Sequence, residues 1–166
     1  MQEVQIEIQF TQPSLGYARQ YLGKGRGVIY RMPRDGAGRV MFLPSWWRDC
    51  FAFASKVLGR YHAESSQIVW SPGVTGKIDQ WRRNLPKQRQ NKRVRYALHE
   101  AFRPGTLVRI SAVLPADLPI SGFTELLRIV GEYKGISPFK NDQETYGTFT
   151  VSSVKTKNHE NREDDD

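Results

Sequence analysis

The sequence predicts an α+β fold in the order strand, helix, strand, strand, helix, strand, with a β-hairpin and a basic segment inserted into it. Three observations carry that prediction. Val4, Ile6, Ile8 and Phe10 alternate with Gln5, Glu7 and Gln9, the period of a strand with one buried face. Two stretches, one after Pro44 and one from Ser121, instead repeat their apolar residues at helical spacing. Runs rich in β-branched and aromatic residues, bounded by Pro and Gly, separate and follow those helices.

The first strand covers residues 4–10. A glycine-rich, arginine-containing stretch (GYARQYLGKGRG) then leads to the runs GVIYRMP and GRVMFLP. The glycines of Arg34-Asp35-Gly36-Ala37-Gly38 between those runs suit a hairpin turn with a basic tip. Ser45 is placed to cap a first helix, in which Trp46, Trp47, Cys50, Phe51, Ala54, Val57 and Leu58 recur and which Gly59 closes. After a short strand, SQIVWSPG, comes the segment 77–95, KIDQWRRNLPKQRQNKRVR, with the single acid Asp79. Such a run cannot bury itself. TLVRISAVLP reads as another strand, and Ser121 is placed to cap a second helix with Phe123, Leu126, Leu127, Val130 and Tyr133 on one face. Gly131 and Gly135 can each stop it, and YGTFTVSSV is the last strand. One domain is therefore expected over residues 1–154, followed at 155–166 (KTKNHENREDDD) by a disordered acidic tail without apolar residues.

Two helices on one face of a four-stranded antiparallel sheet make the ferredoxin-like, or RRM-like, βαββαβ arrangement. Its other face is open, and single-stranded nucleic acid is often bound there or by loops at its edge. The chain has 166 residues, 39% of them hydrophobic, enough for one core. Its 25 Lys and Arg outnumber 17 Asp and Glu for a net charge of +8, which favours a polyanionic partner. A lone cysteine, Cys50, excludes an internal disulfide framework and a cysteine-based zinc site, and fits a reducing compartment. With no membrane-length apolar run and no apolar stretch at the N-terminus, a cytoplasmic location is expected.

The strongest functional signal is the segment 77–95. Lys77, Arg82, Arg83, Lys87, Arg89, Lys92, Arg93 and Arg95 repel one another unless solvated or neutralised, and phosphates neutralise them with counterion release. Trp81 within the run can stack on a base, or anchor the segment to the core. Arg26, Arg31, Arg34 and Arg39 form a second cluster around the hairpin. Gly135, with Gly131 and Gly147, lies in GEYKGISPFKNDQETYG, where glycines let the backbone approach a phosphate and Lys134 and Lys140 add charge; a helix stop followed by a turn is the alternative reading.

Gly36-Ala37-Gly38-Arg39-Val40-Met41-Phe42-Leu43-Pro44-Ser45-Trp46-Trp47-Arg48, a strand running through Leu-Pro-Ser into a helix, together with that glycine-rich loop and the element order, resembles the RAMP superfamily. Over the core, the resemblance is to the RNA-coating backbone subunits of CRISPR effector complexes. It implies a prokaryotic or phage source and an RNA-binding assembly subunit whose copies line up along one strand. It also implies a hairpin that wedges between bases, here through Met32 and Pro33. Relatives that cut RNA use an aspartate ahead of the hairpin, whereas Gly16 to Arg34 contains no acid, so no cleavage by that route is implied.

His62, His99 and His159 have no partner at a catalytic spacing, and His99 beside Glu100 lacks a second histidine at helical spacing for a metal. No phosphate-binding or dinucleotide fingerprint appears, so no cofactor or metal is expected. The leading expectation is a non-catalytic binder of single-stranded nucleic acid, RNA before DNA, that self-associates or joins a larger nucleoprotein complex and does not bind membranes. The alternatives are a single-stranded DNA-binding replication or recombination protein with a partner-recruiting tail, a metal-independent ribonuclease using His62 or His99, and an adaptor or inhibitor of another nucleoprotein complex.

Overall fold

The computed structural model describes residues 1–24, 27–85, 96–137 and 146–157. The opening alternation forms β1 (Gln2–Phe10), whose Val4, Ile6, Ile8 and Phe10 are buried. It lies inside a four-stranded sheet. On one side it pairs antiparallel with β8 (Leu107–Leu114), from Gln2 opposite Leu114 to Gln9 opposite Leu107. On the other it pairs antiparallel with β9 (Phe149–Thr156), with a bulge at Glu7/Ile8. A two-residue strand, β5 (Val69–Trp70), completes the order β5-β8-β1-β9.

Two helices supply the other half of the core, α1 (Pro44–Leu58) and α3 (Ile120–Ile129). Trp47 of α1 lies flat on Trp70, ring centroids 4.2 Å apart, and Phe51 stacks on Phe123 of α3 at 5.6 Å. Neither helix is capped by the expected serine. Leu43 and Pro119 occupy the cap positions, and Pro44 opens α1 because its fixed φ suits a first turn that needs no N–H donor. Gly59 closes α1 in the left-handed conformation, as its position predicts. After Ile129 the chain widens into a π-helical turn (Val130–Lys134) that ends at Gly135. The extra residue per turn rotates Tyr133 off the buried face expected for it, and it is 62% exposed.

A second, mixed sheet contains β2 (Ser14–Leu15), β3 (Ala18–Tyr21), β4 (Val28–Arg31), β6 (Asp79–Asn84) and β7 (Tyr96–Phe102). β7, within a stretch not expected to be a strand, is its hub, antiparallel to β2 and β6 and parallel to β4. The basic segment is thus not all solvated loop: its first part is an edge strand whose backbone groups pair with β7. The hairpin also differs from expectation. GVIYRMP pairs backward with β3, Ala18 opposite Arg31, rather than forward with GRVMFLP. At 34–40 there is a tight turn with one bridge, Arg34 to Val40, held because the Asp35 carboxylate accepts the amides of Ala37 and Arg39. Phe42 beyond it is buried in the main core.

The remaining short helix, α2 (His62–Ser66), packs against α1. β9 runs on through Thr156, past the boundary expected at 154, and the Lys157 amide donates to Glu3 O at 3.0 Å. Among the described residues no helix is long and apolar enough to cross a membrane.

Candidate nucleic-acid interface

Charge is unevenly divided between the two sheets. The second sheet and its connections carry Arg19, Lys24, Arg31, Arg34, Arg39, Lys77, Arg82, Arg83 and Arg103 among the described residues, against only Asp35, Asp79 and Glu100. Elsewhere among the described residues acids and bases nearly balance. The open face of the four-stranded sheet, the other surface considered for single strands, has Glu3, Gln5, Glu7 and Gln9 along β1 and no outward aromatic ring on β1 or β8. Glu3 and Glu7 are paired there with Lys157 and Arg109. Along β1 and β8 that face offers a base no ring to stack on, and its two acids already hold two of its cations.

Successive residues of β7 point to opposite sides of the second sheet, so Glu100 and His99 serve different faces and cannot share a metal. Glu100 is buried and takes two hydrogen bonds from the Arg34 guanidinium, at 2.9 and 2.7 Å, with Arg31 at 3.3 Å and the Met32 amide at 3.0 Å. Burial pushes its carboxyl up, but the Arg34 hydrogen bond and charge, the Met32 amide and Arg31 outweigh this and hold it below the usual carboxylate range. The Glu100 hydrogen bond raises Arg34 in turn. Arg31 and Arg34 therefore have an internal counterion. Met32, suggested as a wedge, is 2% exposed and its side chain belongs to the core.

On the opposite face His99 is wholly buried. Its Nδ1 lies 2.6 Å from Gly16 O and its Nε2 3.2 Å from Arg83 Nε, so the ring donates at Nδ1 and accepts at Nε2. Burial, opposed by the Gly16 hydrogen bond and reinforced by the Arg83 charge, takes its pKa down to about 4. A ring kept neutral with both nitrogens engaged is a poor general acid at neutral pH. His62, at the start of α2, reaches Ser55 Oγ through Nδ1 at 3.3 Å. No group of three His, Cys, Asp or Glu able to hold a metal occurs among the described residues.

Trp81 packs against a small second cluster of Leu15, Ala101 and Tyr146, and Arg103 stands over its ring at 5.9 Å. Arg82 projects to the other side, 4.7 Å above Tyr96. Lys77 is exposed just before β6, and Arg39 pairs with Asp35 at 3.0 Å. Thus Arg31, Trp81, Arg82 and Arg83 belong to one sheet, with Arg34 tied to it through Glu100, but they divide between its two faces: Arg31, Arg34 and Arg82 on the Glu100 side, Trp81 and Arg83 on the His99 side. Lys134 does not join them, lying over the Phe53 ring of α1 at 5.5 Å. At Gly135, φ is 74° and a Cβ would fall 2.3 Å from Tyr146 O; at Gly147, also at 74°, it would fall 2.1 Å from Ile136 O. These glycines let two backbone segments of the chain itself touch. Arg26, Lys87, Arg89, Lys92, Arg93, Arg95 and Lys140 lie outside the described residues. Sequence reasoning passed over Arg19, Tyr21, Tyr30 and Arg103; the alternation in Tyr17-Ala18-Arg19-Gln20-Tyr21 was the available signal for the first two.

Fold and charge together define a class, an α+β protein with helices on a four-stranded antiparallel sheet and a basic mixed sheet beside it. The resemblance to RAMP-type subunits of CRISPR effectors read from the sequence is matched in the fold, over the core. A chain in the cryo-EM structure of the Type III-B Cmr-beta bound to cognate target RNA is similar at a TM-score of 0.59 and 13% identity. The likeness covers 93% of this chain, which spans 60% of that one's length. A chain of a CRISPR RNA-guided surveillance complex gives a TM-score of 0.42 at 13% identity, covering 92% of this chain and 67% of that one. No family model and no curated protein matches the sequence.

Proposed function

We propose that this protein is a non-catalytic, RNA-binding assembly subunit of RAMP type, with a ferredoxin-like core formed by β1, α1, β5, β8, α3 and β9. The observation that carries the reading is the excess of cations on the second sheet, where each acid is already matched to an arginine. Phosphates of a single strand supply the missing negative charge and release counterions as they do so. The basic segment 77–95, the 26–39 turn and the 131–147 glycine loop are its contact elements. The segment and the loop meet where Trp81 packs on the cluster containing Tyr146. Fold likeness to a chain of an RNA-bound CRISPR structure supports the same reading.

The test is binding of the full chain to a labelled single-stranded RNA across a salt series, with a DNA strand of equal length alongside. Affinity falls steeply with salt, and Arg82→Glu with Lys77→Glu weakens it and lowers the log–log slope by about 0.7 for each phosphate that is no longer neutralised. Salt-independent binding, or none, defeats the proposal. Stronger binding to DNA would instead favour a single-stranded DNA-binding role.

A further inference from the structure

Four adjacent strands of the second sheet place one side chain each in a single transverse row. Arg19 of β3 is the register partner of Tyr30 on β4, Tyr30 of His99 on β7, and His99 of Trp81 on β6. Register partners project to the same side of a sheet, so Arg, Tyr, His and Trp stand side by side across one face. Within the row the Tyr30 and His99 rings are stacked, centroids 4.8 Å apart and 20° from parallel. His99 holds its plane through Gly16 and Arg83, so it backs Tyr30 as a fixed wall.

Because β7 and β3 flank β4 on opposite sides, the face of the Tyr30 ring not stacked on His99 is the one on the β3 side. There its register partner is Arg19, and Tyr21, on the same side one step along the strand, is 67% exposed. Neither Arg19 nor Tyr21 makes a side-chain hydrogen bond, ion pair or ring contact with the described residues. Other large rings of this sheet are already covered: Arg82 lies over Tyr96, Arg103 over Trp81, and Phe10 stacks on Phe102.

We propose that the slot between Tyr30 and the Arg19–Tyr21 pair holds one unpaired base of single-stranded RNA. The proposal rests on the RNA-binding reading above and extends it from phosphate to base. An aromatic wall already fixed by its neighbour loses little freedom when a base stacks on it. A planar guanidinium opposite can lie over the base or reach the adjoining phosphate. A base inside a duplex has both faces occupied by its neighbours, so such a slot selects single strands, and because every base has a π-face it tolerates sequence.

The experiment compares three fluorescent probes of equal length on the full chain: an oligouridylate, the same ribose-phosphate backbone without bases, and a duplex. The oligouridylate should bind about tenfold or more tighter than the abasic strand, the size of one base–aromatic stack. Tyr30→Ala should erase that difference, leaving abasic affinity and its salt slope unchanged, while Tyr30→Phe should keep it. Because Tyr30 is half-buried, Tyr21→Ala combined with Arg19→Lys gives a second test that preserves charge and leaves the core untouched; it too should abolish the preference. Equal binding of oligouridylate and abasic strand by the unaltered protein overturns the slot while leaving the RNA-binding reading standing. Persistence of the preference in the double variant also overturns it. Absence of salt-sensitive binding to every probe removes both.

Discussion

In the four-stranded half Trp47 lies flat on Trp70 and Phe51 on Phe123, a core that needs no charge. In the second sheet, the central strand β7 instead buries Glu100 and His99, each held by arginines, and among the described residues the apolar cluster on one side is small, Leu15, Ala101 and Tyr146 with Trp81 against it. One half rests on removing carbon from water; the other, though Phe102 of β7 reaches into that same core, must also satisfy buried polar groups. The same arginines that hold the second sheet make it cationic, so its stability and its affinity for polyanions draw on one set of side chains.

Breaking the apolar half has the largest expected effect. Trp47→Ala should cost about 3–5 kcal/mol of stability by opening a cavity between α1 and the sheet, read as a lower urea midpoint. Next comes acid. With His99 held neutral to about pH 4, the unfolded chain takes up a proton from about pH 6.5 downward that the folded chain refuses. This contribution is complete above pH 6.5 and drains away between 6.5 and 4, by up to about 3 kcal/mol. His99→Gln should flatten that window in a pH series of denaturation midpoints. Smallest is Glu100→Gln, which leaves Arg31 and Arg34 without their counterion at a cost of about 2 kcal/mol. Here the two properties part: freed guanidiniums should bind RNA more tightly even as the midpoint falls. A variant losing both would show that Glu100 orients these arginines for RNA.

The apolar half was legible because its physics is periodic. Val4 to Phe10 alternate, and Trp47, Cys50, Phe51 and Ala54 recur at helical spacing, and both patterns end up buried. β7 escaped because Glu100 and His99 look like surface residues until their partners are known, and those partners, Arg31, Arg34, Gly16 and Arg83, come from distant segments. The edge strand β6 escaped because consecutive arginines hide an alternation in which Arg83 turns inward and Arg82 outward. The row from Arg19 to Trp81 is a product of register across four strands, which no window of sequence contains. The glycines of the 131–147 loop were visible, but that they serve contact between two stretches of the chain's own backbone was not.

That contact has a practical consequence. The Ile136 amide donates to Gly147 O and the Gly147 amide to Pro13 O, both at 2.9 Å, while the Ser14 hydroxyl donates to Ile136 O at 2.7 Å. The two ends are therefore pinned together by the fold, whatever length of chain joins them. Lengthening the connection adds only the slow logarithmic cost of loop closure, about 0.6 kcal/mol per doubling. Extra residues added between Ser137 and Tyr146 should therefore leave both sheets folded, so that any loss of RNA affinity they cause reports on that loop alone, beside the place where Tyr146 meets Trp81.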